Sequence, residues 1–252
     1  MRRALVASAL LLAACSAPLE ERGAAADDDL SFTELAPGVW LHTAYKDVPP
    51  YGPIPTNGLI VASGPGEAVL VDSAWDDAQT ARVLAFADGT LGRRVTASVH
   101  THAHDDKMGG VAALRAAGVA TFAQGMTNVA APARGLTPTE HTLRIGDDGT
   151  AAPRADLPGL TVFYPGPGHT ADNVVVRVEG TDVLFGGCLI RPGGSGSLGN
   201  TADADIAHWD RAARAVAARF PDAAIIVPSH GAPGGRTLLE HTAALAEAAP
   251  AD

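Results

Sequence analysis

VTASVHTHAHDDK, residues 95–107, decides the fold, because a β-type run passes directly into a cluster of metal-binding side chains. The run Val95–Val99 leads into His100, Thr101, His102, Ala103, His104, Asp105 and Asp106. A strand end presents side chains in an open loop while the sheet holds their backbone. Alternate residues of extended chain share a side, so His102 and His104 can face one metal and Asp106 adds an oxygen. Imidazole nitrogen is a borderline ligand that suits Zn2+.

Outward from this stretch, three more donors border β-type runs. His169 lies in PGPGHT (165–170), a tight turn between two runs, Cys188 follows Val183–Gly187, and His230 follows IIVP (225–228). A sheet could bring all of them to one edge. Together they suffice for two zincs, each with three protein ligands and an open position, and an open position means catalysis where a closed one would mean structure.

Short β-type runs alternate with Ala-rich helical stretches throughout. Strands are expected at Val39–Thr43, Gly58–Ala62, Ala68–Asp72, Val95–His100, Leu160–Tyr164, Asn173–Val178, Asp182–Gly186 and Ala224–Val227. Helices are expected at Asp76–Ala87, Gly109–Ala117, Asp205–Arg219 and Arg236–Ala249. In the third, Ile206, Trp209, Ala213, Val216 and Phe220 keep the spacing of one buried face. The mixture predicts an α/β protein with helices packed outside sheets. Tyr45–Thr56, with four prolines, reads as a stiff loop or flap, and Arg191–Thr201 as a mobile Gly/Ser-rich segment.

The chain has 252 residues, 46% hydrophobic and 18% charged, a globular composition. Its net charge is −10 with no run of basic residues, which excludes a nucleic-acid-binding role. Met1-Arg2-Arg3 and the largely apolar stretch Ala4–Ala14 have the layout of an export signal, and a stretch of 11 residues is too short to span a bilayer. The stretch ends Leu12-Ala13-Ala14-Cys15, which resembles a bacterial lipobox. Residues 1–14 are therefore expected to be removed, with Cys15 lipidated and 15–30 a polar tether. One domain, 31–252, would sit in the periplasm, anchored by lipid to the outer membrane. With Cys15 and Cys188 both committed, no disulfide is expected. His42, His141, His208 and His241 lack ligand spacing and are expected to be structural, as is His100. Asp72 either orients a ligand from behind or caps the turn that follows it.

HTHAHDD (100–106), PGPGHTADN (165–173), FGGCLI (185–190) and PSHGAP (228–233), with NGLIV (57–61), VDSAW (71–75) and SLGN (197–200), resemble the class B metallo-β-lactamases from Leu35 to Ala249. The resemblance implies an αββα sandwich with the site at one edge. It also implies two Zn2+ per chain. His102, His104 and His169 would hold the first, and Asp106, Cys188 and His230 the second, as in the two-zinc subgroup with a Cys ligand. Thioesterases, lactonases and many nucleases of this fold carry a metal-binding His after the Asp, where this chain has Lys107.

The implied activity is hydrolysis of the β-lactam ring of penicillins, cephalosporins and carbapenems, conferring antibiotic resistance. A metal-activated water would attack the lactam carbonyl, and Asp106 would orient it or relay its proton. Asn200 would hydrogen-bond near the carbonyl. Arg191 stands where relatives hold the substrate carboxylate with a Lys. Val48, Tyr51, Ile54 and Trp75 would cover the antibiotic's variable groups. The only partners expected are the small-molecule substrate and, through the anchor, the membrane, with the protein a monomer. The competing expectations are a lactonase or thioesterase of the same fold, and a non-catalytic zinc-binding lipoprotein.

Overall fold

In the computed structural model, which describes residues 29–250, period-two patterning builds two sheets. The signal stretch, Cys15 and most of the tether lie outside the described residues. The larger sheet runs in chain order: β1 (Leu30–Ala36), β2 (Val39–Val48), β3 (Gly52–Gly64), β4 (Glu67–Val71), β5 (Arg94–His100), β6 (Ala120–Gln124) and β7 (His141–Leu143). β1 to β4 pair antiparallel and β4 to β7 parallel. The remaining strands are β8 (Leu160–Phe163), β9 (Val175–Val178), β10 (Val183–Gly187) and β11 (Ile225–Pro228), in the order β11-β10-β9-β8, with only β10 and β11 parallel. The helices are α1 (Asp77–Gly89), α2 (Asp105–Met108), α3 (Val111–Ala116), α4 (Gly125–Ala130), α5 (Ile206–Arg219) and α6 (Thr237–Ala248), with a 3-10 turn at Ala131–Arg134.

Alternation sets the layers. Leu59, Val61, Val69 and Val71 meet Val176, Val183, Phe185 and Val227 in a core between the sheets. Their neighbours Ile60 and Leu70 turn the other way, onto Val83 and Phe86 of α1 and Leu114 of α3. On the second sheet Val175, Leu184 and Ile226 turn outward onto α5 and α6, through Trp209, Val216 and Leu239. The result is an αββα sandwich. Each buried Val, Leu, Ile or Phe contributes about 1.5–3 kcal/mol, so these cores, more than helix propensity, hold the layers.

The expected strands and helices are present, with ends moved by one to several residues. The sequence reading lacked β1, β6 and β7. β6 (ATFAQ) lies in an Ala-rich region that reads as helix, and β7 has only three residues, so both depend on pairing with a neighbour.

Tyr45–Thr56 corrects the expectation of a loop. β2 runs to Val48 and β3 starts at Gly52, in register from Val48↔Gly52 to Tyr45↔Pro55, so the segment is a β-hairpin. Its tip closes where Tyr51 N–H donates to Val48 O at 2.7 Å. The prolines are tolerated because of parity. Pro53 and Pro55 share the direction of Asn57, whose N–H leaves the hairpin for Ser229 O, so their missing N–H groups cost no bond to β2. Arg191–Thr201 forms neither helix nor strand, but it is tied down at two points. Arg191 N–H donates to Thr242 Oγ1 at 2.8 Å, and His241 Nε2 lies 2.9 Å from Ser195 O.

Candidate metal centre

The parallel strands deliver their C-terminal ends to one edge, where connecting loops leave the backbone free. The loop after β5 is held there by carboxylates. Asp72, at the end of β4, accepts Thr101 N–H at 2.7 Å and Thr101 Oγ1–H at 2.8 Å. Asp172 accepts Ala103 N–H at 2.9 Å, and Val174 N–H donates to Thr101 O at 2.9 Å. Asp72 has φ +59°, a left-handed backbone uncommon for a non-glycine residue. Its role is therefore to orient the ligand loop from behind.

Three imidazoles converge on one point. His102 Nε2 lies 3.0 Å from His104 Nδ1, and His169 Nε2 lies 3.2 Å from the same atom. The rings stand nearly perpendicular to one another, at 77°, 82° and 87°. Ligands about 2.0–2.1 Å from a tetrahedral zinc would stand roughly 3.3 Å apart, so this spacing fits one ion. Burial, then the neighbouring histidine charges, hold His102 well below the usual imidazole range and His169 at about 3. Both rings are neutral at pH 7, with lone pairs available to a metal.

A second triangle adjoins the first. Cys188 Sγ lies 3.4 Å from Asp106 Oδ2 and 3.5 Å from His230 Nε2, and that nitrogen lies 3.6 Å from Asp106 Oδ2. A sulfur at about 2.3 Å from zinc would stand roughly 3.5 Å from a nitrogen co-ligand. His230 Nδ1 lies 2.6 Å from Pro55 O, an obligate acceptor, so Nδ1 carries the proton and Nε2 faces the triangle with its lone pair. Burial pushes the Cys188 thiol well above its usual range, and coordination to a cation would deprotonate it. Donor atoms of His102, Asp106 and Cys188 all lie within 4.8 Å of one another, so the triangles share a border. Donor types and spacing fit metal ions, as does the His230 tautomer.

Beneath the second triangle lies Lys107, fully buried. Its Nζ donates to Thr56 Oγ1 at 2.7 Å and Asn57 O at 3.0 Å, and stands 3.4 Å from Asp106 Oδ2 and 3.8 Å from Asp72 Oδ2. Burial alone would raise the Asp106 carboxyl, but Lys107, then His230 and His102, hold it below the usual carboxylate range. Burial pushes Asp72 up to about 7 against the pull of Lys107 and Thr101. Asn57 also donates through Nδ2 to Pro228 O and Gly231 O, both at 2.8 Å, and so bolts β3 to the loop bearing His230. Thr56, Asn57 and Asp172 were not singled out from the sequence as site residues. Asn57 and Asp172 are polar residues inside the NGLIV and PGPGHTADN motifs, which is the available signal for them, while Thr56 lies just before the first motif.

All six expected donors meet here. Arg191, partly buried, adds its charge to the surroundings of His169 and His230. Its Nε is buried without a partner among the described residues, and Nη2 is only 3.4 Å from Ser195 Oγ. Asn200 is exposed, with Oδ1 accepting Ala202 N–H at 3.1 Å. Tyr51 stands at the hairpin tip, 78% exposed. Val48 and Ile54 are half-buried against the cluster that contains Trp75, which is only 8% exposed and donates Nε1–H to Ala44 O. Trp75 thus supports the hairpin from beneath.

The other histidines stand apart from both triangles. His42 is buried and pushed down to about 3 by burial and then Lys107. His100 spans Lys107 O and Ser98 Oγ, His141 stacks on Phe122, His208 contacts Asp205, and His241 holds Ser195.

The model of the metallo-beta-lactamase superfamily matches residues 51–230. A protein of Bacteroides fragilis named metallo-beta-lactamase type 2 is 34% identical over 230 residues, 90% of this chain and 89% of that protein. A crystal structure of a metallo beta lactamase from Erythrobacter litoralis, with beta mercaptoethanol in the active site, superposes with a TM-score of 0.86. It is 44% identical and covers 89% of this chain and 99% of its own. The metallo-beta-lactamase FIM-1 from Pseudomonas aeruginosa, in its mono-zinc form, gives a TM-score of 0.83 at 52% identity, over 88% of this chain and 96% of its own.

Replacing Lys107 by Met leaves a buried carboxylate pair without its cation. The metal-stripped variant should lose about 3–5 kcal/mol in urea denaturation, and zinc should return part of it by compensating Asp106. An unchanged midpoint in stripped protein would remove Lys107 from this role.

Proposed function

The chain belongs to the metallo-β-lactamase superfamily, and on that footing we propose that it hydrolyses the β-lactam ring of penicillins, cephalosporins and carbapenems at a two-zinc site. The observation that carries this reading is the pair of adjoining three-donor triangles, His102/His104/His169 and Asp106/Cys188/His230. We assign the chain to the class B subgroup with a Cys ligand. Its motif set resembles the New Delhi metallo-β-lactamase in particular.

When bound, the zinc ions supply Lewis-acid polarisation of the lactam carbonyl and lower the pKa of water from 15.7 to about 7. The remaining work belongs to the protein's own residues. Asp106 turns Oδ2 toward Cys188, His230 and Lys107, and Oδ1 has no protein donor among the described residues. Oδ1 can accept a hydrogen bond from the attacking water and pass its proton toward the departing lactam nitrogen. Asn200 Oδ1 is occupied by Ala202 N–H, which leaves Nδ2 to donate to the lactam carbonyl oxygen.

Arg191, only partly buried, can hold the substrate carboxylate through two parallel hydrogen bonds from its guanidinium. Because Arg is longer than Lys and planar, the role is kept while the ranking of substrates changes. Tyr51, Val48 and Ile54 form an apolar hairpin wall that Trp75 supports, suited to loose recognition of varied side groups. A lactonase or thioesterase of this fold is disfavoured. Lys107, where those enzymes carry a metal-binding His, is buried in hydrogen bonds and cannot serve as a ligand. We also assign the chain to the periplasmic face of the outer membrane, on a lipid at Cys15. The mass of the mature N-terminus should show an acylated Cys15, and an unmodified start would refute the anchor.

Zinc-loaded protein should open a chromogenic cephalosporin, lose that activity to a chelator and regain it with zinc. No turnover by the fully loaded protein ends the reading. Cys188→Ser should reduce bound zinc from two equivalents toward about one and cut turnover. Arg191→Ala should raise KM about tenfold or more with kcat little changed, since a charge-assisted hydrogen bond contributes about 1.5–3 kcal/mol. An unchanged KM for every carboxylate substrate would remove Arg191 from the pocket.

A further inference from the structure

We propose that Arg134 and Asp203 form a brace that presets the metal-facing tautomer and ring plane of His104, and so governs the metal affinity of the three-histidine site. The inference rests on the metal-centre reading above and assigns a positioning role to two residues outside the ligand and substrate sets.

One oxygen does the work. Asp203 Oδ2 lies 2.9 Å from His104 Nε2 and accepts Arg134 Nη1–H at 2.8 Å. A carboxylate can only accept, so the His104 proton sits on Nε2. Nδ1, the atom that faces His102 Nε2 and His169 Nε2, therefore keeps its lone pair. The other tautomer would turn a proton into the donor triangle and block the ion.

His104 is also the ring that most needs such help. His102 and His169 are buried, and the Trp209 ring packs against His169 with centroids 5.6 Å apart. The His104 side chain is 16% exposed, and it sits at the start of α2, a single turn of helix. With less packing to fix its plane, a hydrogen bond on the far nitrogen has to do so.

Asp203 alone would make a loose brace, because it lies in the irregular stretch before α5 with its side chain 37% exposed. Arg134 anchors it from the other side. The arginine closes the 3-10 turn Ala131–Arg134, which the left-handed Gly135 terminates. The three residues thus join the turn after α4, the ligand loop after β5 and the loop before α5. Arg134 holds the carboxylate, and the carboxylate holds the ring. Carboxylate partners of metal-binding histidines typically change metal affinity 10–100-fold.

The test compares Asp203→Ala, Asp203→Asn, Arg134→Ala and Arg134→Lys with the unmodified mature protein and with His104→Ala. Zinc affinity is read by competition with a chelating dye. Cobalt uptake is followed through the thiolate band, which reports the Cys188 site alone. Asp203→Ala should weaken one zinc equivalent about 10–100-fold, leave the cobalt–thiolate titration in place and keep the denaturation midpoint of stripped protein unchanged. Asp203→Asn should fall between, because its amide oxygen still accepts the Nε2 proton. Arg134→Ala should weaken the same equivalent several-fold, and Arg134→Lys should recover most of it. Unaltered affinity in Asp203→Ala overturns the brace, as does an equal weakening of both equivalents together with a lowered midpoint. If His104→Ala binds zinc as tightly as the unmodified protein, the metal-centre reading fails instead.

Discussion

Lys107 carries a positive charge with no access to water, and the architecture beneath the ligands is arranged to keep that charge solvated by protein. An isolated buried ammonium would cost several kcal/mol, so its neighbours are constrained to be acceptors and anions. Two of them, Thr56 and Asn57, come from β3, while Asp72 directly follows β4 and Asp106 lies in α2. The same side chains reach further. Asp72 holds the ligand loop at Thr101, and Asn57 holds the loop that bears His230. One buried cation therefore links the ends of both sheets under the donors. The ligands are held in place by this polar network as well as by the apolar cores.

The hairpin has two roles that a free loop could not combine. Its outer end presents Tyr51, while its inner strand supplies Pro55 O to His230 and Asn57 to the second sheet. Prolines suit that inner strand because their carbonyls accept while no N–H is needed on that side. The exposed tip and the support behind His230 are thus parts of the same hairpin.

Much of this was legible in the chain because the relevant signals are local. β5 ending at the His cluster, β10 ending at Cys188 and β11 ending before His230 all follow from β-type runs that stop at donors. The helix expected from Asp76 is α1, with Asp76 as its cap, and α5 buries the face that Trp209 and Val216 mark. The signals failed where pairing or parity decided the outcome. β6 is a strand because β5 gives it an edge, and β7 because β6 does in turn. A count of prolines in Tyr45–Thr56 says loop, yet Pro49 and Pro50 fall in the tip, and the spacing of Pro53 and Pro55 by two puts their missing N–H groups on the side away from β2.

By itself the sequence determined the kind of chemistry, because donor types are properties of residues: imidazole, thiolate and carboxylate at strand ends, with a lysine where related hydrolases carry another ligand. Tertiary structure alone decided which nitrogen of each ring faces the site. The proton on His104 is set by Asp203, 99 residues away, and the proton on His230 by Pro55, 175 residues away. Tautomers, ring planes and the compensation of Lys107 depend on contacts between segments distant in the chain. Such contacts exist only after the two sheets have packed.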